Sequence, residues 1–393
     1  IGSIVDYLFA PDDPEAVVER MASPEVRIVS LTVTEGGYNF DQVTGEFQAD
    51  NPGVQHDLAN PAAPTTTFGF VFAALQRRRE RGIPPFTVMS CDNIQGNGHI
   101  AQTMFTAFAR LADPGFADWM TEHVRFPNSM VDRITPVTAD ADRQEVADRF
   151  GTLDAWPVVT EPFFQWVLED HFGDGGRPPY EDADVQLVDD VEPYELMKLR
   201  LLNISHQAMC YFGVLSGHTY AHEATGDPAI RRLLTAYMEQ EATPTLKPVP
   251  GIDLADYRAT LIERFGNPEV RDTLARLCAE SSDRIPKWLV PVIRANLDHG
   301  GEVALSAAIC ASWARYDEGV DEQGNPITIV DRLADELHAT ALTQHDDELA
   351  FVRDRRLFGA LADEPRFTEP YLATLRSLWA VGAHSTLEAL PLP

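Results

Sequence analysis

The chain has 393 residues, 44% of them hydrophobic, and a formal charge of −30 from 31 basic and 61 acidic side chains. That length allows two to three domains, and so large an acidic excess repels phosphate backbones and anionic headgroups, so neither nucleic acid nor a membrane surface is expected as a partner. No run of about 18 uncharged apolar residues appears, so no membrane-spanning helix is expected either.

In chain order, the opening IGSIVDYLFAPDD has no basic region and no small-residue cleavage site of a secretory signal. It reads as the middle of an apolar element whose beginning lies upstream. Arg27 to Thr34 is a β-branched run that ends in Glu35-Gly36-Gly37, a strand entering a tight turn. Thr66 to Arg81 is helical by period. Phe86 to Ser90 is a second buried strand, closing at Cys91-Asp92-Asn93, and a helix follows over His99 to Leu111 with Ile100, Met104, Phe108 and Leu111 on one stripe. Strand, turn, helix, repeated, predicts a parallel α/β sheet, and ligands of such sheets bind beyond the carboxyl ends of the strands. The two polar turns, at Thr34 to Gly37 and Ser90 to Asn93, fall there. Val131 to Thr135 and Asp184 to Val188 read as further strands of an extended mixed sheet, with the loop GDGGRPP at Gly173 to Pro179 between them. After Pro193 helical periods dominate: Tyr194–Gly217, Pro228–Glu241, Asp253–Phe265, Pro268–Glu280, Ile285–His299 and Val303–Tyr316, then shorter helices. The expected fold is therefore an α/β sheet domain over 1–190 followed by a mainly helical domain over 191–393. No G-x-G-x-x-G follows the first strand. Either the sheet binds no dinucleotide, or the phosphate-binding turn precedes Ile1.

Cys91, Cys210, Cys278 and Cys310 form no CxxC pair, so neither a disulfide framework nor a structural zinc site is expected, and reduced thiols suit a cytoplasmic enzyme. Lysine occurs at three positions only, Lys198, Lys247 and Lys287. A chain that prefers arginine keeps lysine where arginine cannot serve, and a buried ammonium can lose its proton near neutral pH whereas a guanidinium cannot.

Lys198 lies in YELMKLRLLNISHQAMCYFGVLSG, a segment apolar nearly all round and so expected to be a buried helix. With Lys198 at zero and about 100° per residue, Glu195 falls near about 60°, His206 near about 80° and Asn203 near about 140°, while Arg200 points away. Polar groups on one arc of a buried helix either form a structural hydrogen-bond network or line a polar cavity. The chemistry that fits a cavity is alcohol oxidation. A desolvated lysine serves as base for the hydroxyl proton. Asn203 donates to the developing alkoxide, and Asn93, on the turn after a parallel strand, is placed to be the second donor. His206 donates to substrate or orients Lys198, and Glu195 relays the proton to solvent. Zinc is the competing route, through His206, Cys210, His218 and His222, but His218 and His222 are four apart with no catalytic glutamate between them. No metal is expected.

These residues resemble the K-x-x-x-x-N-x-x-H signature of the long-chain polyol dehydrogenase, or mannitol dehydrogenase, family. The resemblance runs over essentially the whole chain, through TVTEGGY at Thr32–Tyr38, SCDNIQGNG at Ser90–Gly98, VDRITP at Val131–Pro136, VVTEPF at Val158–Phe163 and RDRRLFG at Arg353–Gly359. It implies a Rossmann-type NAD-binding domain, a helical substrate domain, and metal-free oxidation of D-mannitol to D-fructose. It gives Lys198 the role of general base, Asn93 and Asn203 that of the oxyanion pair, and His206 that of positioning substrate. It places Glu35 and Glu195 near the proton path and Asp132, Arg276 and Arg284 at the substrate. Thr34, Glu35, Gly36 and Asn93 would face the cofactor. Arg284 stands where the family's mannitol enzymes carry lysine, which keeps D-arabinitol, sorbitol and fructuronate as alternative substrates. The resemblance implies NAD and a chain able to work as a monomer. A non-catalytic binding protein of the same fold would have lost the lysine or the asparagines, and all are present.

Overall fold

The computed structural model describes residues 4–41 and 44–390. Its contacts divide the chain into two compact units, one of residues 1–132 and 164–195, the other of residues 133–163 and 196–393.

In the first unit, β1 (Ile28–Leu31) and β2 (Thr87–Ser90) pair in parallel, Ile28 opposite Thr87 and Leu31 opposite Ser90. All four residues of β2 are buried, as a parallel strand covered on both faces requires. The helix Thr67–Glu80 connects the two strands. Its Thr66 hydroxyl caps the first turn at Gly69 N, and Arg78, in its last turn, donates to the carbonyls of Ser23, Val26 and Pro84. The helix Asn97–Ala112 follows β2. Phe68, Phe72, Phe105 and Phe108 from these helices, with Phe116 from the next helix, Pro114–His123, make a ring cluster at the core, with centroids as close as 4.8 Å. A second sheet carries β3 (Ser129–Asp132), β4 (Gln165–Glu169) and β5 (Gln186–Val188), antiparallel between β3 and β4 and parallel between β4 and β5.

The second unit is helical, built on Pro228–Ala236, Leu254–Phe265, Ser281–His299, Ala304–Tyr316 and Pro365–Ala389 around the run from residue 196 to 215. Among the described residues no helix is long and apolar enough to cross a membrane.

Several expectations are corrected. The apolar opening has no helix or strand over residues 4–9, and leaves Val5 84% and Tyr7 78% exposed. The tight turn after β1 is one helical turn, Thr34–Gly37. β4 gave no signal, because five residues with mixed burial carry neither a β-branched run nor clean alternation. The expected helix Pro268–Glu280 shrinks to Leu274–Cys278. Arg271 is left-handed at φ 49°, Thr273 bridges to Tyr220 and Ala221 N donates to the Asp272 carbonyl, so tertiary pairing takes the backbone groups a helix would need. Among the expected shorter late helices stands the 25-residue Pro365–Ala389, broken at Gly382, whose φ of 83° only glycine adopts readily. The largest change is inside the lysine helix: α-helix over Glu192–Met197, π-helix over Lys198–Asn203, α-helix again over Ile204–Leu215.

Candidate active site

In the second unit the site begins with that π segment. The Ile204 N–H donates to the Leu199 carbonyl five residues back, the bond that defines a π turn. Residues five apart then stack, so Lys198 and Asn203 lie one turn apart on the same side, closer in direction than a regular α-helix allows. Both are buried, at 7% and 6% exposure. Inside this segment the Tyr237 hydroxyl donates to the Arg200 carbonyl at 3.2 Å. The Arg200 guanidinium points away, as expected, and donates to the Thr245 carbonyl at 2.6 Å.

His206, on the first turn after the π segment, packs its ring 4.8 Å from that of Phe265. The residue is half-buried; desolvation first, then the charges of Arg276, Arg264, Arg284 and Lys198, push its pKa well below the ordinary 6.5 and favour the neutral imidazole. Of the expected substrate residues, Arg276 and Arg284 are near enough to act on its charge. Arg276 is locked by a two-pronged bond to the buried Asp272, Nε at 2.6 Å and Nη2 at 2.5 Å. Arg284 donates to the Leu277 carbonyl at 2.8 Å and lies 5.8 Å from the Trp288 ring centroid. Arg264 went unnoticed in the sequence. It is buried and bonded to Glu161 through Nε (2.9 Å) and Nη2 (2.7 Å), with its guanidinium 3.8 Å from the ring centroid of Phe163. The motif VVTEPF was the available signal, but a glutamate 103 positions away gives no pattern to read.

In the first unit, Thr34, Glu35, Gly36 and Asn93 are exposed on the turns at the carboxyl ends of β1 and β2. What joins those turns is Asp92, buried behind them. Its carboxylate accepts from Val33 N (3.1 Å), Thr34 N (2.9 Å) and the Tyr38 hydroxyl (2.7 Å), which explains how Thr34 holds a left-handed φ of 63°. Asn97 ties the same end to β3, donating to the Asp92 and Ser129 carbonyls and accepting from Ser129 N. Gly98 is required: a Cβ there would lie 2.5 Å from the carbonyl oxygens of Phe126 and Pro127. Asp132 is buried at the end of β3.

Glu195 is also buried, and both its oxygens accept from the Gly96 N–H just before the helix Asn97–Ala112, where the helix dipole favours a carboxylate. It lines a cleft of about 490 Å³ with Gln95, His99, Asn128, Asp190 and Glu192. Among the described residues no group of three or more His, Cys, Asp or Glu could hold a metal ion. Of the zinc alternative's residues, His218 sits 3.6 Å from Asp227, His222 stacks on Tyr220, and Cys210 is buried with its thiol toward the Gln207 carbonyl.

The chain is similar to known proteins over nearly its whole length. Residues 1–182 match the Mannitol dehydrogenase Rossmann domain and residues 190–379 the Mannitol dehydrogenase C-terminal domain. Mannitol 2-dehydrogenase of Phaeosphaeria nodorum is 48% identical over 391 residues, which cover 98% of this chain and 68% of that protein. The structure of Pseudomonas fluorescens mannitol 2-dehydrogenase in ternary complex with NAD and D-mannitol is 47% identical, with a TM-score of 0.86 over 99% of this chain and 79% of that one. A D-sorbitol dehydrogenase in substrate-free form is 35% identical, with a TM-score of 0.91 over 98% of this chain and 80% of its own. With both halves matched in order and nearly half of all positions identical to such relatives, this chain belongs to the mannitol dehydrogenase family.

Proposed function

We propose that the chain is a metal-independent, NAD-dependent mannitol 2-dehydrogenase that interconverts D-mannitol and D-fructose. The observation that carries the reading is a buried lysine and asparagine one π turn apart, with a histidine held neutral beside them. The relatives support it, one of them seen with NAD and D-mannitol together.

The turns at the carboxyl ends of β1 and β2 fit a nicotinamide nucleotide. Thr34, Glu35, Gly36 and Asn93 are exposed there, and a Cβ added at Gly36 meets nothing within 4 Å, so the backbone is open to a close-lying ligand. When bound, NAD accepts the hydride that leaves the carbinol carbon. Residues 1–190 are taken as the cofactor domain and 191–393 as the substrate domain.

Lys198, a cation at rest, gives up its own proton first and then takes that of the reacting hydroxyl. Asn203 and Asn93 donate to the oxygen as it gains charge, an interaction stronger in the transition state than before it and so one that raises rate. His206, neutral, donates one ring N–H to a substrate hydroxyl. Arg276, Arg284 and Asp132 orient the remaining hydroxyls. Glu195 passes the proton from the lysine to the cleft it lines, and Glu35 stands near the same path. Fructose reduction runs the same steps backward.

The likeness to a D-sorbitol dehydrogenase along nearly the whole chain keeps sorbitol as the second reading. D-arabinitol and fructuronate follow, since Arg284 preserves a cation at a position that could meet either a hydroxyl or a carboxylate. The test is kcat/KM for the four compounds with NAD and NADP, before and after prolonged chelation, on the parent and on Lys198→Ala. Mannitol with NAD should lead, chelation should change nothing, and Lys198→Ala should lose several orders of magnitude. An alanine variant as fast as the parent between pH 6 and 10 overturns the reading, and activity lost to chelation and restored by zinc overturns the metal-free part.

A further inference from the structure

The second unit holds a buried ion pair that the proposed reaction does not use. Glu161 and Arg264 have side chains only 1% and 5% exposed, joined by two hydrogen bonds of 2.7 and 2.9 Å. Desolvating two charges is unfavourable enough that well-packed apolar residues usually serve stability as well or better. A pair kept in such a place asks for a reason beyond holding the fold.

The local sequence builds a clamp. Pro162 biases Glu161 toward extended backbone, and in extended chain residues two apart project to the same side. Glu161 and Phe163 therefore approach Arg264 together: the carboxylate meets the edge of the guanidinium and the ring lies 3.8 Å from its central carbon. A flat, forked cation is the one side chain that satisfies both. The clamp is itself anchored, because Glu161 Oε1 also accepts from Ile134 N at 2.6 Å and Glu161 N donates to the Ile134 carbonyl. On its other side, Arg264 adjoins Phe265, whose ring lies against that of His206, and a small cavity is lined by Ile134, His206, His222, Arg264, Phe265 and Asp272.

We propose that Glu161 and Arg264 are positioning residues for His206, fixing Phe265 and the imidazole where substrate is gripped and adding a fixed positive charge behind the ring. The inference rests on the reading that His206 contacts substrate. The groups facing His206 are Lys198 on its own helical run, Arg264 on Leu254–Phe265, Arg276 on Leu274–Cys278 and Arg284 on Ser281–His299, with His222 and Asp272 lining the same small cavity. Arg276 is balanced by Asp272 as Arg264 is by Glu161. Burial and all four cations favour the neutral imidazole, so removing Arg264 relieves one of them.

The test uses the whole chain and two variants. In Glu161→Gln with Arg264→Gln, paired amides replace paired charges without leaving either alone. In Arg264→Lys the charge stays but the fork and the flat stacking face go. Steady-state kinetics with D-mannitol and NAD are read beside an NMR titration of labelled histidine, with the His206 signal assigned from His206→Asn. In the double variant KM should rise about tenfold with kcat within about threefold, and His206 should titrate at higher pH than in the parent. In Arg264→Lys KM should rise while the His206 titration stays put. If the double variant leaves KM within twofold of the parent, or leaves the His206 titration unmoved, the proposal is overturned, and a lower Tm alone means a structural pair. Should Lys198→Ala and His206→Asn oxidise mannitol as fast as the parent, the functional reading fails instead, and the NMR titration still reports on the clamp.

Discussion

The Glu195 carboxylate and the Gly96 N–H are 3.0 Å apart, and that bond places an acid of the lysine helix at the start of the helix after β2. A carboxylate so held is rigid, buried and bordered by a cleft that also holds His99 and Asn128, as a group passing protons to water should be. Glu195→Gln keeps the size and one acceptor but cannot carry the proton. kcat for mannitol oxidation should fall at least tenfold, with KM within about threefold, on the scale of general acid–base contributions. A solvent isotope effect on kcat that rises in the variant would mark proton release as the slowed step, and an unchanged kcat would remove Glu195 from the path.

Asn203 owes its direction to the π turn, and its amide is proposed to meet charge only as the oxygen develops it. Asn203→Ala should lower kcat by about 10²–10³, or about 3–4 kcal/mol, the usual effect of losing one oxyanion donor. Asn203→Asp should be worse than alanine, since it sets like charge against the oxyanion. Substrate binding measured by fluorescence titration should change far less than kcat. Equal losses in both would mean the asparagine only holds the helix.

Glu241 lies in a second π segment, Tyr237–Ala242, and accepts from Leu305 N, Ser306 N and the Ser306 hydroxyl. Burial raises its pKa from 4.5 to about 7 despite those bonds. A carboxyl whose pKa is higher folded than unfolded stabilises below its unfolded value and loses that contribution as pH rises through the folded one. The parent should therefore lose about 3 kcal/mol from this group between pH 4.5 and 7.5. His206 acts with the opposite sign, its lowered pKa making acid below about pH 6.5 destabilising. Glu241→Gln removes the first effect alone, so its stability relative to the parent should improve from about pH 5 to about pH 7.5 in urea melts and level off above that. A pH-independent difference would mean that Glu241 is charged throughout.

Local pattern carried much of this. The all-buried TVMS of β2, the alternation of strand and helix before residue 112 and the apolar segment around Lys198 are all short-range periodicities, legible because burial on one or both faces imposes a period. β4 was not legible, because pairing on both edges rather than composition makes it a strand. Nor was the truncation of the helix expected over 268–280, decided by Thr273 meeting Tyr220 from half a domain away. At the candidate site the sequence showed Lys198, Asn203 and His206 by their type and spacing, and missed Asp92, Glu161 and Arg264, whose roles exist only through partners distant in the chain.

By itself, then, the sequence determined the two-part α/β and helical plan, the segment that carries the proposed base, and the family resemblance through its motifs. The tertiary structure decided the rest. It opened residues 198–203 into a π turn, within which the Arg200 carbonyl accepts from the Tyr237 hydroxyl of a segment some 37 residues on. It favoured the neutral form of His206 by desolvating it near three arginines and a lysine drawn from four segments. The physical reason is the range of the forces: hydrophobic period acts within a turn or two of the same element, while charge, desolvation and hydrogen-bond satisfaction depend on which distant groups packing brings within a few ångströms.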